Sequence, residues 1–281
     1  MFTTLISTAE LAAALGRPDL VICDVRHDLM QPIAWGGAEY AKAHVPGAQF
    51  VHLDRDLSAP KTGSNGRHPL PTPEAAAALF ARLGIDEHKQ VVAYDQGNGM
   101  YVARLWWMLR WLGHDAVAVL DGGFAKWSKE GREMTADVPE AHASSFGIHR
   151  VTPTVNATGV RASIPGRTLF LIDARAPERF RGDVEPLDPV AGHIPGARNR
   201  PFAQNLDADG TFKHPAFLRA EFTALLDGAS HETVVHSCGS GVSACHNILA
   251  MEIAGMPGTR LYPGSWSEWC ADPMRPIERG P

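Results

Sequence analysis

The sequence of 281 residues lacks long apolar runs and blocks of like charge. No stretch approaches the roughly 18 apolar residues that cross a bilayer, and no basic region precedes an apolar core at the N-terminus. Lys and Arg number 26 against 31 Asp and Glu, with no cluster of cations. That balance argues against nucleic acid or an acidic membrane as the main partner. We expect a cytoplasmic protein that binds neither.

Cysteine is also scarce, and its spacing excludes two kinds of site. The four cysteines include no C-x-x-C pair, which disfavours both a disulfide framework and a zinc site. Cys23 lies in an apolar run that predicts a buried strand. Cys245 follows Cys238 by two helical turns, or about 10 Å of helical rise, so a disulfide between them is not expected. We expect no metal or organic cofactor.

What the chain does contain is a repeat of itself. The segment L-V-I-C-D-V-R at 20–26 returns as L-F-L-I-D-A-R at 169–175, and H-V-P-G-A at 44–48 returns as H-I-P-G-A at 193–197, both at an offset of 149. Further on, G-N-G at 97–99 pairs with G-S-G at 239–241 at an offset of 142. Two constant offsets indicate one duplicated unit with a shorter middle in the second copy. We predict an N-terminal domain at 1–137, a linker at 138–157 and a C-terminal domain at 158–281.

Short apolar runs alternate with helical patterns inside each copy. Such alternation predicts the α/β class, as two tandem domains that each hold a parallel sheet with helices on both faces. Asp24 and Asp173 recur at equivalent strand ends, which favours structural ion pairs. His44 and His193 each precede x-Pro-Gly, so a structural role in a turn is the better interpretation.

The stretch V-V-H-S-C-G-S-G-V-S-A-C at 234–245 carries the predicted chemistry. Cys238 falls between a buried strand and a helix that ends near Gly255. Gly239 and Gly241 allow the loop N–H groups to point at the sulfur, and the helix N-terminus adds positive potential, so thiolate is favoured over thiol. Gln96 occupies the equivalent place in the first copy, which leaves one nucleophile. The alternative is a small, inert buried cysteine.

These motifs together resemble those of the tandem rhodanese-type sulfurtransferases, over nearly the whole chain. The resemblance rests on H-V-P-G-A and H-I-P-G-A, the D-V-R and D-A-R strand ends, the helix W-W-M-L-R-W-L-G-H and the loop C-G-S-G-V-S. It implies transfer of a sulfane sulfur through a persulfide on Cys238 to cyanide, a thiol or thioredoxin. The uncharged loop resembles the branch that uses 3-mercaptopyruvate, with Ser243 where threonine is usual. Thiosulfate is the alternative donor, although its enzymes usually carry Arg and Lys in this loop.

The resemblance also implies roles for other residues. Arg179, before Phe-x-Gly, matches the family's arginine that anchors the donor, and its fork of donors suits a carboxylate. Ser240 with His68 and Asp54, the latter two from the first copy, match a proton relay. Candidates for contact with the donor are the loop residues and an arginine of the first copy, namely Gly239, Gly241, Val242, Ser243 and Arg104.

One position departs from the family pattern. Relatives that use mercaptopyruvate commonly place a second arginine in an E-P-R segment, and here Glu185-Pro186 is followed by Leu187. The loss of one charge-assisted hydrogen bond predicts donor binding weaker by roughly ten- to a hundredfold.

Two other classes of function remain open. Cysteine phosphatases of related fold end their loop with arginine six residues after the cysteine, where this chain has Ala244, so the phosphoryl clamp is missing. A rhodanese-like domain can also serve as an interaction module without activity. The intact loop at Cys238 disfavours that reading.

Overall fold

The computed structural model describes residues 1–140 and 142–281 and divides the chain into two compact units. Unit 1 comprises residues 1–58, 71–152 and 208–212; unit 2 comprises residues 59–70, 153–207 and 213–281. The segment 59–70 lies within the first copy in sequence, yet it belongs to unit 2. The predicted boundaries at 137 and 158 stay predictions, and residue 141 of the predicted linker lies outside the described residues.

Unit 1 alternates strands and helices along the chain. Its elements are β1 (Leu5–Ile6), α1 (Thr8–Ala14), β2 (Leu20–Asp24), α2 (Trp35–Lys42), β3 (Ala48–Phe50), α3 (Pro73–Arg82), β4 (Gln90–Tyr94), α4 (Val102–Trp111), β5 (Val117–Leu120) and α5 (Gly123–Lys129). The strands form a parallel sheet in the order β1-β5-β4-β2-β3. Strands β2 and β4 are buried along most of their length, as expected for parallel strands covered by helices.

Unit 2 shows the same alternation of strands and helices, with strands of two residues at the edges of its sheet. Its elements are α6 (Ala157–Ser163), β6 (Phe170–Asp173), α7 (Pro177–Arg181), β7 (Arg198–Asn199), a 3-10 turn (Phe202–Asn205), α8 (Pro215–Leu226), a 3-10 turn (His231–Thr233), β8 (Val234–Ser237), α9 (Ser243–Ile253), β9 (Arg260–Leu261) and α10 (Ser265–Trp269). The strands are parallel in the order β7-β6-β8-β9, so β6 and β8 repeat β2 and β4 at the sheet centre. The predicted α/β class is confirmed.

Large aromatic side chains fill the core of each unit. Trp106 and Trp111 of α4 are almost fully buried. Trp127 of α5 is fully buried in unit 1 and Trp269 of α10 in unit 2, and each indole N–H donates to a nearby backbone carbonyl. Burial of aromatic surface of this size is a major source of stability.

The repeated motifs perform the same structural task in both units. Arg26 pairs with Asp24 at 2.7 Å and donates to the carbonyl of Ala43, and Arg175 pairs with Asp173 at the same distance and donates to the carbonyl of Gly192. All four charged side chains are buried. The predicted structural ion pairs are confirmed.

The two motif histidines are alike as well. His44 stacks on Tyr40 and hydrogen-bonds its carbonyl through Nδ1 at 2.8 Å. His193 stacks on Phe180 and hydrogen-bonds that residue's carbonyl, also at 2.8 Å. This duplicated packing confirms a structural role for both rings.

No helix within the described residues is long and apolar enough to cross a membrane.

Candidate active site

Cys238 directly follows β8, at the carboxyl end of a central strand of unit 2. Its side chain is 2% exposed, and its backbone N–H donates to Ser265 Oγ at 3.0 Å. In parallel α/β sheets, functional groups gather beyond the carboxyl ends of the strands. The predicted position between strand and helix is confirmed.

The loop after Cys238 directs backbone N–H groups at the sulfur. The N–H of Gly241 lies 3.1 Å from Cys238 Sγ and that of Ser240 lies 3.5 Å from it. The helix α9 begins two residues later, so the positive end of its dipole faces the same place. The loop N–H groups therefore point at the sulfur, as the sequence predicted.

The two loop glycines differ in how strictly this geometry requires them. Gly241 has a φ of +75°, and a side chain there would collide with the carbonyl oxygen of Pro263. A Cβ on Gly239 would lie 2.7 Å from Nη2 of Arg67. Glycine is therefore required at Gly241 by the fixed backbone opposite it, whereas at Gly239 only the far end of the flexible Arg67 side chain would have to move.

The first turn of α10 orients the loop by binding its carbonyls. Trp266 N donates to the carbonyl of Cys238 at 3.0 Å, and Ser267 N donates to that of Gly239 at 2.9 Å. With these carbonyls held by α10, the next N–H groups turn toward the sulfur. Val242 is buried at the end of the loop and Ser243 is the first residue of α9.

The relay predicted for proton transfer is brought together in part. Ser240 Oγ and His68 Nδ1 form a buried hydrogen bond of 2.7 Å. His68 was expected from the first copy, but its segment 59–70 belongs to unit 2. Asp54 belongs to unit 1, where its carboxylate lies 3.8 Å from Nε2 of His27 and its N–H donates to Nδ1 of His52.

Arg104 also lies in unit 1, on α4, with its side chain fully buried. Its role as a contact for the donor stays a prediction.

Arg179 lies on α7 beside the loop and is paired with carboxylates. Its Nη2 lies 2.6 Å from Glu185 and 3.4 Å from Asp188. Both of its terminal nitrogens lie 3.6 Å from the position that a Cβ on Gly239 would occupy. The guanidinium therefore borders the space next to the nucleophile, where the resemblance expected it.

The Glu185 carboxylate also organises the segment that departs from the family pattern. It accepts the backbone N–H of Leu187 at 3.1 Å and that of Asp188 at 3.2 Å, and it pairs with Arg175 at 3.4 Å. Burial works against the Arg175 cation, but the negative charges of Asp173, Glu185 and Cys238 outweigh it and raise the pKa of Arg175. Arg175 thus pairs with Asp173 and also interacts electrostatically with Cys238.

Sequence reasoning missed Arg67 and Asp188, which form an ion pair next to Gly239. The residues are 121 positions apart and neither falls in a repeated motif. The only local signal was the position of Arg67 immediately before His68.

The remaining three cysteines are buried. Burial raises the pKa of the Cys23 thiol to about 12 and that of the Cys270 thiol to about 11. Cys245 donates to the carbonyl of Gly241 at 3.4 Å. None of the four cysteines, all within the described residues, forms a disulfide.

The equivalent loop in unit 1 holds a carboxylate of its own. Asp95 accepts the backbone N–H groups of Gly97, Gly99 and Tyr101 at 2.9, 3.1 and 3.0 Å. Burial raises the pKa of Asp95, while these hydrogen bonds act in the opposite direction. Gln96 stands where the second copy has Cys238. The first copy therefore keeps the nest of donors and fills it with the carboxyl group of Asp95.

Comparison with known proteins agrees with this geometry. The family model of the rhodanese-like domain matches residues 7–130 and again residues 157–272. The chain belongs to the rhodanese family, as an enzyme of the sulfurtransferase class with two rhodanese-like domains.

Particular relatives extend over nearly the full length. A Pseudomonas aeruginosa protein named as a probable 3-mercaptopyruvate sulfurtransferase is 46% identical over 98% of both chains. A Mycobacterium tuberculosis protein, SseB, described as a candidate thiosulfate sulfurtransferase, is 41% identical over 98% of this chain and 97% of its own. The solved structure of SseA from Escherichia coli, a 3-mercaptopyruvate enzyme, superposes with a TM-score of 0.80 at 32% identity, covering 94% of this chain and 99% of its own. The predicted family, fold and enzyme class are confirmed.

Proposed function

We propose that the protein takes a sulfur atom from 3-mercaptopyruvate onto Cys238 and passes it to a thiophilic acceptor. The thiolate attacks the donor's sulfur, an S–S bond forms and the donor's C–S bond breaks. The electron pair of that bond leaves with pyruvate as its enolate, which takes up a proton. A thiol or cyanide then attacks the outer sulfur and releases the Cys238 thiolate.

The hydrogen bond between Ser240 and His68 is the observation that carries the choice of donor. A carbon leaving group needs a proton as the C–S bond breaks, and a hydroxyl coupled to an imidazole can supply one. Ser240 lies two residues after the nucleophile, so its Oγ is well placed for this task. Sulfite, the leaving group of thiosulfate, needs no such proton.

Charge in the loop supports the same choice. The loop from Cys238 to Ser243 has no cation of its own, whereas a dianion such as thiosulfate is best held by several. Arg179 beside Gly239 suits the single carboxylate of mercaptopyruvate. Arg179, Ser240 and His68 are the residues that we assign to the donor. Gly239, Gly241, Val242 and Ser243 are proposed as the loop that surrounds the transferred sulfur. The roles of Asp54 and Arg104, which lie in unit 1, stay predictions from the sequence.

Thiosulfate is the second candidate, favoured by the description of the mycobacterial relative. The test is a steady-state comparison of 3-mercaptopyruvate with thiosulfate under one acceptor. We expect kcat/KM to be at least tenfold higher for mercaptopyruvate. A preference of tenfold or more for thiosulfate would refute the donor assignment. The acceptor, the cytoplasmic location and the absence of a cofactor stay predictions from the sequence.

A further inference from the structure

Ser265, the first residue of α10, binds the backbone of the nucleophile. Its side chain is fully buried. Its Oγ accepts the N–H of Cys238 at 3.0 Å and donates to the carbonyl of Tyr262 at 2.9 Å. The hydroxyl therefore links the residue that follows β8 with the residue that follows β9.

This hydroxyl is inserted into the hydrogen-bond ladder between those two neighbouring strands. Where the pair ends, Tyr262 N donates to the carbonyl of His236 at 2.9 Å. In a regular parallel ladder the next bond would run from the N–H of Cys238 to the carbonyl of Tyr262. Ser265 Oγ bonds to both of these groups instead, so it separates the two strands at the point where the catalytic loop begins.

The backbone of Ser265 adopts a conformation that serine rarely takes. Its φ is +52°, in the left-handed region where a Cβ crowds the following carbonyl oxygen. Glycine enters this region without that penalty. The side chain at this position is therefore kept at a cost in stability, which points to a function for its hydroxyl.

The first copy has the same backbone conformation without the side chain. The segment D-G-G-F-A-K-W at 121–127 matches P-G-S-W-S-E-W at 263–269 at an offset of 142, so Gly123 is the counterpart of Ser265. Gly123 begins α5 with a φ of +58°, and a Cβ there would lie 2.8 Å from the carbonyl oxygen of Asp95. The copy that holds the nucleophile thus has serine where the copy that lacks one has glycine.

We propose that Ser265 is a positioning residue for sulfur transfer. Its hydroxyl keeps the N–H of Cys238 apart from the carbonyl of Tyr262, and the sulfur is thereby directed at the loop N–H groups 3.1 and 3.5 Å away. Without the hydroxyl, that N–H can bond directly to the Tyr262 carbonyl, which draws the nucleophile toward β9. This inference rests on the proposed function for Cys238 as the residue that takes the sulfur.

The test measures how fast Cys238 is loaded with sulfur from saturating donor, by rapid quench and intact mass. Ser265→Gly removes the hydroxyl and relieves the strained φ. We expect loading to slow by roughly ten- to a hundredfold, because a shift of about 1 Å misplaces the attacking sulfur. The donor concentration that gives half the maximal loading rate should stay within about threefold of the wild type, because donor binding is untouched.

The matched control is Asp227→Gly, which relieves the same kind of strain away from the loop. Asp227 is exposed and has a φ of +46° at the end of α8. Its replacement by glycine should raise the urea midpoint and leave loading unchanged.

Two further variants separate positioning from stability. Ser265→Thr keeps the hydroxyl and should load sulfur within about threefold of the wild type, although its branched side chain lowers the urea midpoint in this backbone region. Ser265→Ala loses the hydroxyl but keeps the strain, so it should load as slowly as Ser265→Gly and unfold at a lower urea midpoint. If Ser265→Thr does not fold, this second comparison decides. Equal slowing at different midpoints supports positioning, and slowing that follows the midpoint refutes it.

Loading within about threefold of the wild type in folded Ser265→Gly would overturn the proposal. A folded Ser265→Thr that loads as slowly as Ser265→Gly would overturn it as well, because the hydroxyl would then not be the group that matters.

A comparison of donors separates this inference from the donor assignment. Ser265 acts on the nucleophile, so Ser265→Gly should slow loading from 3-mercaptopyruvate and from thiosulfate by the same factor; a loss with one donor alone would overturn the proposal. If Cys238 takes sulfur from neither donor, the proposed function fails and Ser265 is judged on alkylation of Cys238 by iodoacetamide. A rate that differs from the wild type by about threefold or more would then sustain the positioning role, and an unchanged rate would refute it.

Discussion

Ser240 Oγ and His68 Nδ1 share a buried hydrogen bond of 2.7 Å across 172 positions of the sequence. If this pair supplies the proton to the departing enolate, Ser240→Ala should lower kcat for 3-mercaptopyruvate by roughly 10²-fold or more. Thiosulfate turnover should change far less, because sulfite leaves without a proton. Parallel assays of both donors check this.

His68→Gln should reproduce the donor selectivity of Ser240→Ala, and Ser230→Ala, an exposed serine of unit 2, should leave both rates unchanged. Equal losses for the two donors in Ser240→Ala would contradict a proton-transfer role and indicate that the pair supports the loop.

Cys238 should be the one residue that carries sulfur. Incubation with donor, removal of the excess and intact mass measurement should show a gain of one sulfur atom in the wild type and none in Cys238→Ser. The other thiols are buried, and the raised pKa values of Cys23 and Cys270 keep those two protonated near neutral pH. A sulfur adduct that persists in Cys238→Ser would place the carrier elsewhere.

Gly241→Ala should lower the free energy of unfolding by more than the cost of a positive φ alone. Gly228 has a similar φ of +86° with nothing near the position of a Cβ, whereas a Cβ on Gly241 would meet the Pro263 carbonyl. We expect Gly241→Ala to lower the free energy of unfolding by about 2 kcal/mol more than Gly228→Ala. Urea titrations of the two variants measure the difference. Similar losses would show that the loop can shift away from Pro263.

His236 should make unit 2 sensitive to acid. Full burial lowers its pKa from the ordinary value of 6.5 to about 3, and neither ring nitrogen has a partner among the described residues. Below about pH 6.5 the unfolded chain binds a proton that the folded chain does not, so stability falls as pH falls toward 3. At pH 5 the loss should be about 2 kcal/mol.

His236→Leu, which replaces the imidazole with an apolar side chain of similar size, should remove this part of the pH dependence. Urea unfolding at pH 7 and pH 5 for both proteins gives the comparison. An identical change in the free energy of unfolding between pH 7 and pH 5 in the wild type and the variant would show that His236 does not bind a proton on unfolding in this range.

Much of the fold could be predicted because its signals are local. The repeated apolar segments contain the central strands: 20–26 contains Leu20–Asp24, and 169–175 contains Phe170–Asp173. The repeated D-x-R motif also encodes its own ion pair, since Asp24 and Arg26 are two residues apart. Backbone geometry and short-range pairing depend on residues that stand next to one another in the sequence.

The surroundings of the nucleophile could be predicted only in part. G-x-G beside Cys238 indicates a donor nest because glycine is required at particular dihedral angles. The pair of Arg67 and Asp188 has no such signal, because it depends on where the segment 59–70 lies in the fold. An isolated arginine before a loop histidine is indistinguishable by pattern from a solvated surface residue.

The loop of Asp95 in the first copy allows a comparison, within one molecule, with the hydrogen bonding of the catalytic loop in the second copy. In the first copy the accepting carboxyl group is a side chain of the loop itself, so the amides of Gly97 and Gly99 stay hydrogen-bonded throughout turnover. In the second copy the amides of Ser240 and Gly241 face the sulfur of Cys238. The charge and size of this group change in each turnover, because Cys238 alternates between the form with and the form without the transferred sulfur. Hydrogen exchange at the amides of Gly97 and Gly99 should therefore stay the same when the donor is added. Exchange at the amides of Ser240 and Gly241 should change when Cys238 carries the transferred sulfur.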